Sequence, residues 1–393
     1  MPGSLVLMGS GETSPTMVEV HRAVARGLRA GARAVLLDTP YAFQENAADI
    51  SARARRYFAR SVGLEVEAAT AITGADWVFS GPGSPTYALD RWAASGVAGD
   101  LRARVRSRQG VTVLASAAAC TAGLATAPVY EIYKVGAEPH WREGIGLLEP
   151  LGLRAVLIPH FDNAEGGTHD TRYCYLGERR LSRMERELPP ETAVLGLDEH
   201  TALIIDLESE AVEVAGRGGL TVRRPGAVSV LPAGTRTSLA AVRGLAAGAM
   251  SGAVPPLPPA ARAAAGPAVT LEETVRSCER LFEDAVGKPD LAAAARLVLD
   301  LEAEIVTWAA DTEEDAGGVD QARELMRLLI ARLGEAAATA GLRPLVEPLL
   351  DLRARLRGEG RYEIADALRE AMARGGVTVE DTPAGPRWSP ATV

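Results

Sequence analysis

The sequence predicts an α/β protein: a mostly parallel, doubly wound sheet followed by a small all-α helical domain. Three observations carry that prediction. Through residues 1–238, short apolar runs alternate with stretches of helical periodicity, the pattern of a parallel sheet covered on both faces. Beyond residue 270, five segments keep helical spacing with breaks between them, as in a small bundle. Between the two, residues 239–269 turn to Ala, Gly and Pro and read as a linker.

Taken in order, residues 4–8 (SLVLM) form a first strand. The GSGET that follows lacks the Lys of a P-loop and the third Gly of a dinucleotide fingerprint, so it reads as a tight βα turn. Helical spacing covers 15–28, 46–61, 85–94 and 98–106, with strands at 33–38, 64–68 and 76–80. Val111 to Leu114 forms a buried strand that stops at Ala115-Ser116-Ala117-Ala118-Ala119, where helix propensity takes over. A strand turning sharply into a helix, with one hydroxyl at the bend, is the geometry of a nucleophile elbow. It sets Ser116 at the carboxyl edge of the sheet, where ligands bind in such folds. Strand 154–158 runs into Pro159-His160-Phe161-Asp162-Asn163, which brings His160 to the same edge. A helix at 171–188, a strand at 192–195 and an antiparallel meander at 201–206, 211–215 and 220–223 complete the first domain. Helices at 271–285, 291–310, 319–337, 345–357 and 362–374 make up the second, residues 270–393.

At 393 residues, two domains are expected. Hydrophobic content of 47% and charged content of 24% are those of a soluble globular protein. No charged leader precedes an apolar stretch, and no apolar run nears the ~20 residues of a membrane span, so a cytoplasmic location without a membrane partner is expected. Cys120, Cys174 and Cys278 lie far apart without metal-ligand spacing, and no HExxH occurs, so neither metal nor cofactor is expected. Net charge is −9, and residues 259–393 hold most of it, with 16 Lys+Arg against 24 Asp+Glu.

Three stretches, in order, resemble the cyanophycinase/aspartyl dipeptidase (peptidase E) family over about residues 1–235. They are FSGPGSPTYAL (79–89), similar to a Gly-rich oxyanion loop, ASAAACTAG (115–123), similar to the family's elbow, and IPHFDN (158–163), which carries the histidine. GLDEHTALI (196–204) is also similar to a segment of cyanophycinases. The resemblance implies a class I glutamine amidotransferase-like fold and a serine hydrolase acting on a small peptide or amide, possibly aspartyl-containing. It implies Ser116 as nucleophile, His160 as base and Glu131 as orienting acid, in preference to Glu138 and Asp162. The N–H groups of Gly83 and Ala117 would hold the oxyanion. Arg172, Lys134, Asn163 and His140 are the candidates for substrate contact. The family has Gly two residues either side of the nucleophile, where this chain has Leu114 and Ala118, so a relaxed elbow is expected. Cys120 becomes a nucleophile only in a shifted register.

LLDLRARLRGEGRYEIADALREAMARGGVTVEDTPAGPRW (349–388) resembles the C-terminal helical domain of cysteinyl-tRNA synthetases, a likeness extending over about 270–393. It implies a module that either touches tRNA through Arg353, Arg355, Arg357, Arg361 and Arg369 or serves protein contacts. The acidic balance favours the second, on its own hydrolase domain or in a homo-oligomer. The competing reading of the whole chain is a catalytically silent scaffold whose helical domain binds protein or tRNA. Amide transfer would need a Cys nucleophile and a synthase partner.

Overall fold

Strict alternation of apolar side chains builds two cores, one on each face of a central sheet. Leu5, Leu7, Val35, Val78 and Leu114 enter one core, while Val6, Met8, Leu36, Phe79 and Val113 enter the other. The computed structural model describes residues 3–166, 168–250, 252, 254–257, 270–309, 311, 318–382 and 385–390. Two compact units emerge, Met1–Val269 with Thr307–Glu314, and Thr270–Val306 with Asp315–Val393.

The α/β unit begins with β1 (Ser4–Met8), α1 (Val18–Ala25), β2 (Ala34–Leu36), α2 (Ala47–Tyr57), β3 (Glu67–Ala68) and β4 (Trp77–Ser80). It continues through α3 (Pro85–Ser95), α4 (Val97–Ser107), β5 (Val111–Ala115), α5 (Ser116–Cys120), β6 (Ala125–Thr126), α6 (Val129–Tyr133) and β7 (Arg142–Glu143). Then come β8 (Ala155–Ile158), α7 (Gly177–Glu185), β9 (Ala193–Leu197), β10 (Thr201–Asp206), β11 (Ala211–Gly216), β12 (Gly219–Arg224), β13 (Ala227–Pro232), β14 (Arg236–Ser238) and α8 (Leu239–Ala247).

The main sheet has eight strands in the order β14-β11-β10-β1-β5-β4-β2-β3. Strands β1 to β5 run parallel within it, and β10, β11 and β14 extend it antiparallel from β1. The sheet is therefore mixed. The expected meander is split as well. Its third strand, β12, lies in a separate four-stranded sheet, β13-β12-β9-β8, together with the strand that leads to His160.

Residues 239–247 form a helix rather than linker. Their Ala- and Gly-rich composition conceals Leu239, Val242 and Leu245, which share one face and are buried in the larger core. Residues 258–269 of the expected linker lie outside the described residues. The expected helix at 171–188 shortens to α7, because Tyr173, Cys174 and Tyr175 all take the left-handed conformation.

In the helical unit, α9 (Leu271–Gly287) starts at a capping box, in which Thr270 accepts from Glu273 N–H and Glu273 accepts from Thr270 N–H. Next come α10 (Leu291–Trp308) and α11 (Gly318–Gly358). The two helices expected at 319–337 and 345–357 are this one element, which runs through Pro344 and Pro348. After α12 (Tyr362–Arg374), the chain ends its described part in a hairpin of β15 (Val377–Thr382) and β16 (Gly385–Pro390). Val346, Leu350, Met372 and Val377 form the core beneath it. Arg353 is 2% exposed and grips both oxygens of Asp381 at 2.7 and 2.8 Å. Arg357 approaches Asp366 and Asp381, and Arg361 approaches Glu359. The arginine cluster singled out in the sequence is thus largely engaged by acidic partners. No helix among the described residues is long and apolar enough to cross a membrane.

Candidate active site

Strand β5 is extended through Ala115, and the backbone then reverses hand at Ser116, where φ is 47°. A side chain in that region is strained by about 1–2 kcal/mol. The elbow is therefore not relaxed. Leu114 is fully buried and belongs, with Ala118, to the larger core.

Ser116 Oγ lies 2.9 Å from His160 Nε2, and His160 Nδ1 lies 2.9 Å from Glu199 Oε1. A carboxylate can only accept, so Nδ1 carries the proton, Nε2 is left as an acceptor and the hydroxyl donates to it. Asn163 Nδ2 donates to the same Glu199 oxygen at 3.1 Å, and Glu199 N–H donates to Asp162 Oδ1 at 2.7 Å. Burial pushes the Glu199 carboxyl up, but the hydrogen bonds and charge of His160, with the Asn163 bond, outweigh it and hold the group below its ordinary value. His160 also has a positive φ, 46°, and its carbonyl accepts from Cys174 N–H at 3.1 Å. Tyr173 N–H donates to the Phe161 carbonyl at 3.0 Å. The left-handed turn at 173–175 therefore grips His160 and Phe161, the two residues at the base of the loop after β8.

The loop after β4 meets the elbow directly, with Ala118 N–H donating to the Gly81 carbonyl at 3.2 Å. Gly83 has φ 127°, and a Cβ there would stand 2.1 Å from the Pro40 carbonyl oxygen, so only glycine fits. Ala117 is in the first turn of α5, where N–H groups have no partner within the helix.

Glu131, expected as the orienting acid, does not meet His160. Its Oε1 accepts from Thr86 Oγ1 at 2.6 Å, and Glu199 takes the place beside the imidazole. The physical reason is strand pairing: Met8 of β1 pairs with Ala202 of β10, which draws the preceding Glu199 to the edge where β1 and β5 end. The signal was in GLDEHTALI, whose third and fourth residues, Asp198 and Glu199, are both carboxylates. Of the other acids weighed, Asp162 holds the Glu199 backbone, and Glu138 pairs with Arg183 at 2.6 Å.

Asn163 is brought to the site but not as a substrate contact, since it is 1% exposed and donates to Glu199. Arg172 is paired with Asp170 and lies over the Tyr173 ring. Lys134 Nζ lies over the Tyr130 ring, and His140 Nδ1 donates to the Glu138 carbonyl. None of these three hydrogen-bonds to Ser116 or His160 among the described residues. Burial pushes the Cys120 thiol up to about 12, which keeps it from acting as a thiolate. Among the described residues, no three His, Cys, Asp or Glu side chains converge to hold a metal ion.

Asp198 gives the site a pH signature. Burial, then the neighbouring carboxylates Asp162 and Glu199, push it up to about 6, although Gly219 N–H donates to it at 2.7 Å. A carboxyl raised above its unfolded value of roughly 3.9 opposes folding once ionised, so this penalty grows as pH rises from about 4 to 6. Asp198→Asn keeps an acceptor for Gly219 and should therefore raise the melting temperature at pH 8, with the gain vanishing near pH 4. An equal gain at both pH values would refute the assignment.

No protein-family model matches the chain. Among curated proteins it is similar over short stretches to cysteine–tRNA ligases. It is 43% identical over 54 residues to that of Carboxydothermus hydrogenoformans, 46% over 44 residues to that of Persephonella marina, and 39% over 85 residues to that of Frankia casuarinae. The matches span 14%, 11% and 20% of this chain and 12%, 9% and 16% of those ligases, so the chain covers a minor part of each. Among solved structures, a peptidase from an acI-B1 Actinobacterium is similar at 20% identity and a TM-score of 0.47, over 61% of this chain and 97% of that one. A putative peptidase E protein from Listeria monocytogenes EGD-e is similar at 13% identity and a TM-score of 0.39, over 55% and 98%.

Proposed function

We propose that the chain is a serine hydrolase of the peptidase or amidase class, acting on a small peptide or amide through Ser116, His160 and Glu199. The observation that carries this reading is the unbroken Ser116–His160–Glu199 hydrogen-bond chain, with the hydroxyl at a strained elbow. Ser116 Oγ attacks the scissile carbonyl carbon while its proton passes to His160 Nε2. Glu199 stabilises the imidazolium that forms, and the N–H groups of Gly83 and Ala117 receive the oxyanion. His160 then protonates the departing amine, leaving an acyl ester on Ser116. Water, deprotonated by His160, attacks that ester and releases the acid. An aspartyl-containing substrate is the choice that the family resemblance favours, and the step sequence requires neither metal nor cofactor.

For the helical unit we favour protein contact over tRNA. Arg353 is buried against Asp381, and the arginines around it have acidic neighbours, so few charges remain to meet phosphates. A fluorophosphonate probe tests the hydrolase reading. Wild type should be labelled stoichiometrically and Ser116→Ala should not. A folded wild type that takes no label at any pH would favour the silent scaffold instead.

A further inference from the structure

We infer that Glu131 and Thr86 are positioning residues that aim the oxyanion loop, a role that rests on the hydrolase reading above. Their hydrogen bonds form a chain with one direction. Glu131 Oε1 can only accept, so the Thr86 hydroxyl donates to it at 2.6 Å. The Thr86 oxygen, its proton committed, accepts from Ser84 Oγ at 2.9 Å. Ser84 Oγ in turn accepts from Tyr87 N–H at 3.2 Å and caps α3. Ser84 N–H is held by the Pro40 carbonyl at 2.8 Å, the same carbonyl that closes over Gly83. The two central members are shielded from water, with Ser84 8% and Thr86 4% exposed.

The chain therefore ends one residue from the Gly83 N–H. That loop is also tied to the elbow through Gly81 and Ala118. Glu131 comes from α6, 45 residues away in sequence from Thr86, so the brace is tertiary and not a local cap. A carboxylate whose second oxygen is buried without a partner among the described residues is costly to keep. Its first oxygen holds the hydroxyl that sets the capping geometry. A shift of about 1 Å in an oxyanion donor is enough to lower a rate by roughly a hundredfold.

The test uses the full chain with Thr86→Val, which removes the hydroxyl at nearly constant shape, and Thr86→Ser, which restores it. Three quantities are read: the second-order rate of fluorophosphonate labelling, the pH midpoint of that rate, and hydrogen exchange across residues 81–87. Thr86→Val should label about 10- to 100-fold more slowly with an unmoved midpoint and faster exchange, and Thr86→Ser should recover most of the rate. Labelling at the wild-type rate in Thr86→Val would overturn the inference. So would a shifted midpoint, which would place the effect on His160, or an equal loss in Thr86→Ser. If wild type takes no label, the hydrolase reading fails, and the exchange data alone decide the brace: faster exchange in Thr86→Val sustains it and equal exchange overturns it. Should Thr86→Val not fold, Glu131→Met severs the far end of the chain and is read in the same way.

Discussion

Glu199→Gln should slow labelling of Ser116 at neutral pH by roughly a thousand- to ten-thousandfold, the scale seen when a triad acid loses its charge. Glu131→Gln should cost no more than about tenfold. Both substitutions remove one negative charge near the site, so the contrast isolates geometry. Glutamine at 199 can turn its NH₂ toward Nδ1, which moves the imidazole proton to Nε2 and leaves Ser116 without a base. Asn163, whose NH₂ donates to the oxygen at that position, favours the opposite rotamer, and in that rotamer the imidazolium still loses the carboxylate charge that stabilises it. Glutamine at 131 still offers an oxygen to Thr86, and the brace survives. Comparable losses in the two variants, or a larger one at 131, would mean that Glu199 is not the orienting acid.

The second large effect concerns stability. Arg223 bonds Glu185 through Nε at 2.7 Å and Nη2 at 2.8 Å, bonds both oxygens of Glu178, and lies 5.5 Å from the Tyr173 ring centre. The side chains of Arg223 and Glu185 are only 14% and 10% exposed. Removing the cation strands a buried carboxylate, which costs about 3 kcal/mol. The more exposed Glu178 adds little of its own. Arg223→Met keeps the aliphatic stem and loses the charge, so the melting temperature should fall by roughly 6–12 °C for a unit of this size. Arg223→Lys should recover only part of it, since an ammonium cannot span both carboxylates. A fall under about 2 °C in Arg223→Met would show that the network contributes nothing net. The same variant should lower labelling, because Glu178 accepts from Tyr173 Oη and so anchors the left-handed turn.

What could be read from the sequence followed from local chemistry. The apolar alternation of SLVLM and VTVL specified strands with two buried faces, and the abrupt change at Ala115-Ser116 specified the elbow. IPHFDN brings the imidazole within 2.9 Å of Ser116 Oγ because a strand end and its next residues travel together. The acid could not be read this way. Spacing along the chain favours Glu131 over Glu138 and Asp162, and only the antiparallel pairing of β1 with β10 brings Glu199 to the imidazole instead. The helix expected from residue 171 failed at Tyr173 for a related reason. Three successive left-handed residues are unfavourable locally, and they persist here through the bonds to His160 and Phe161 and the anchor at Arg223. Arg353 looked like part of a solvent-facing basic cluster, and its partner Asp381 lies 28 residues away on a hairpin that periodicity did not reveal.

Ser116 leaves a strand of the eight-stranded sheet, and His160 leaves a strand of the four-stranded one. Glu199 stands on the short link by which the chain passes from the second sheet back to the first. The three groups thus register with one another only while both sheets are docked. On the proposed hydrolase reading, catalytic competence in such an arrangement works as a coincidence detector for tertiary order. A slip of either sheet by a fraction of a strand spacing would silence the hydroxyl while every strand kept its hydrogen bonds.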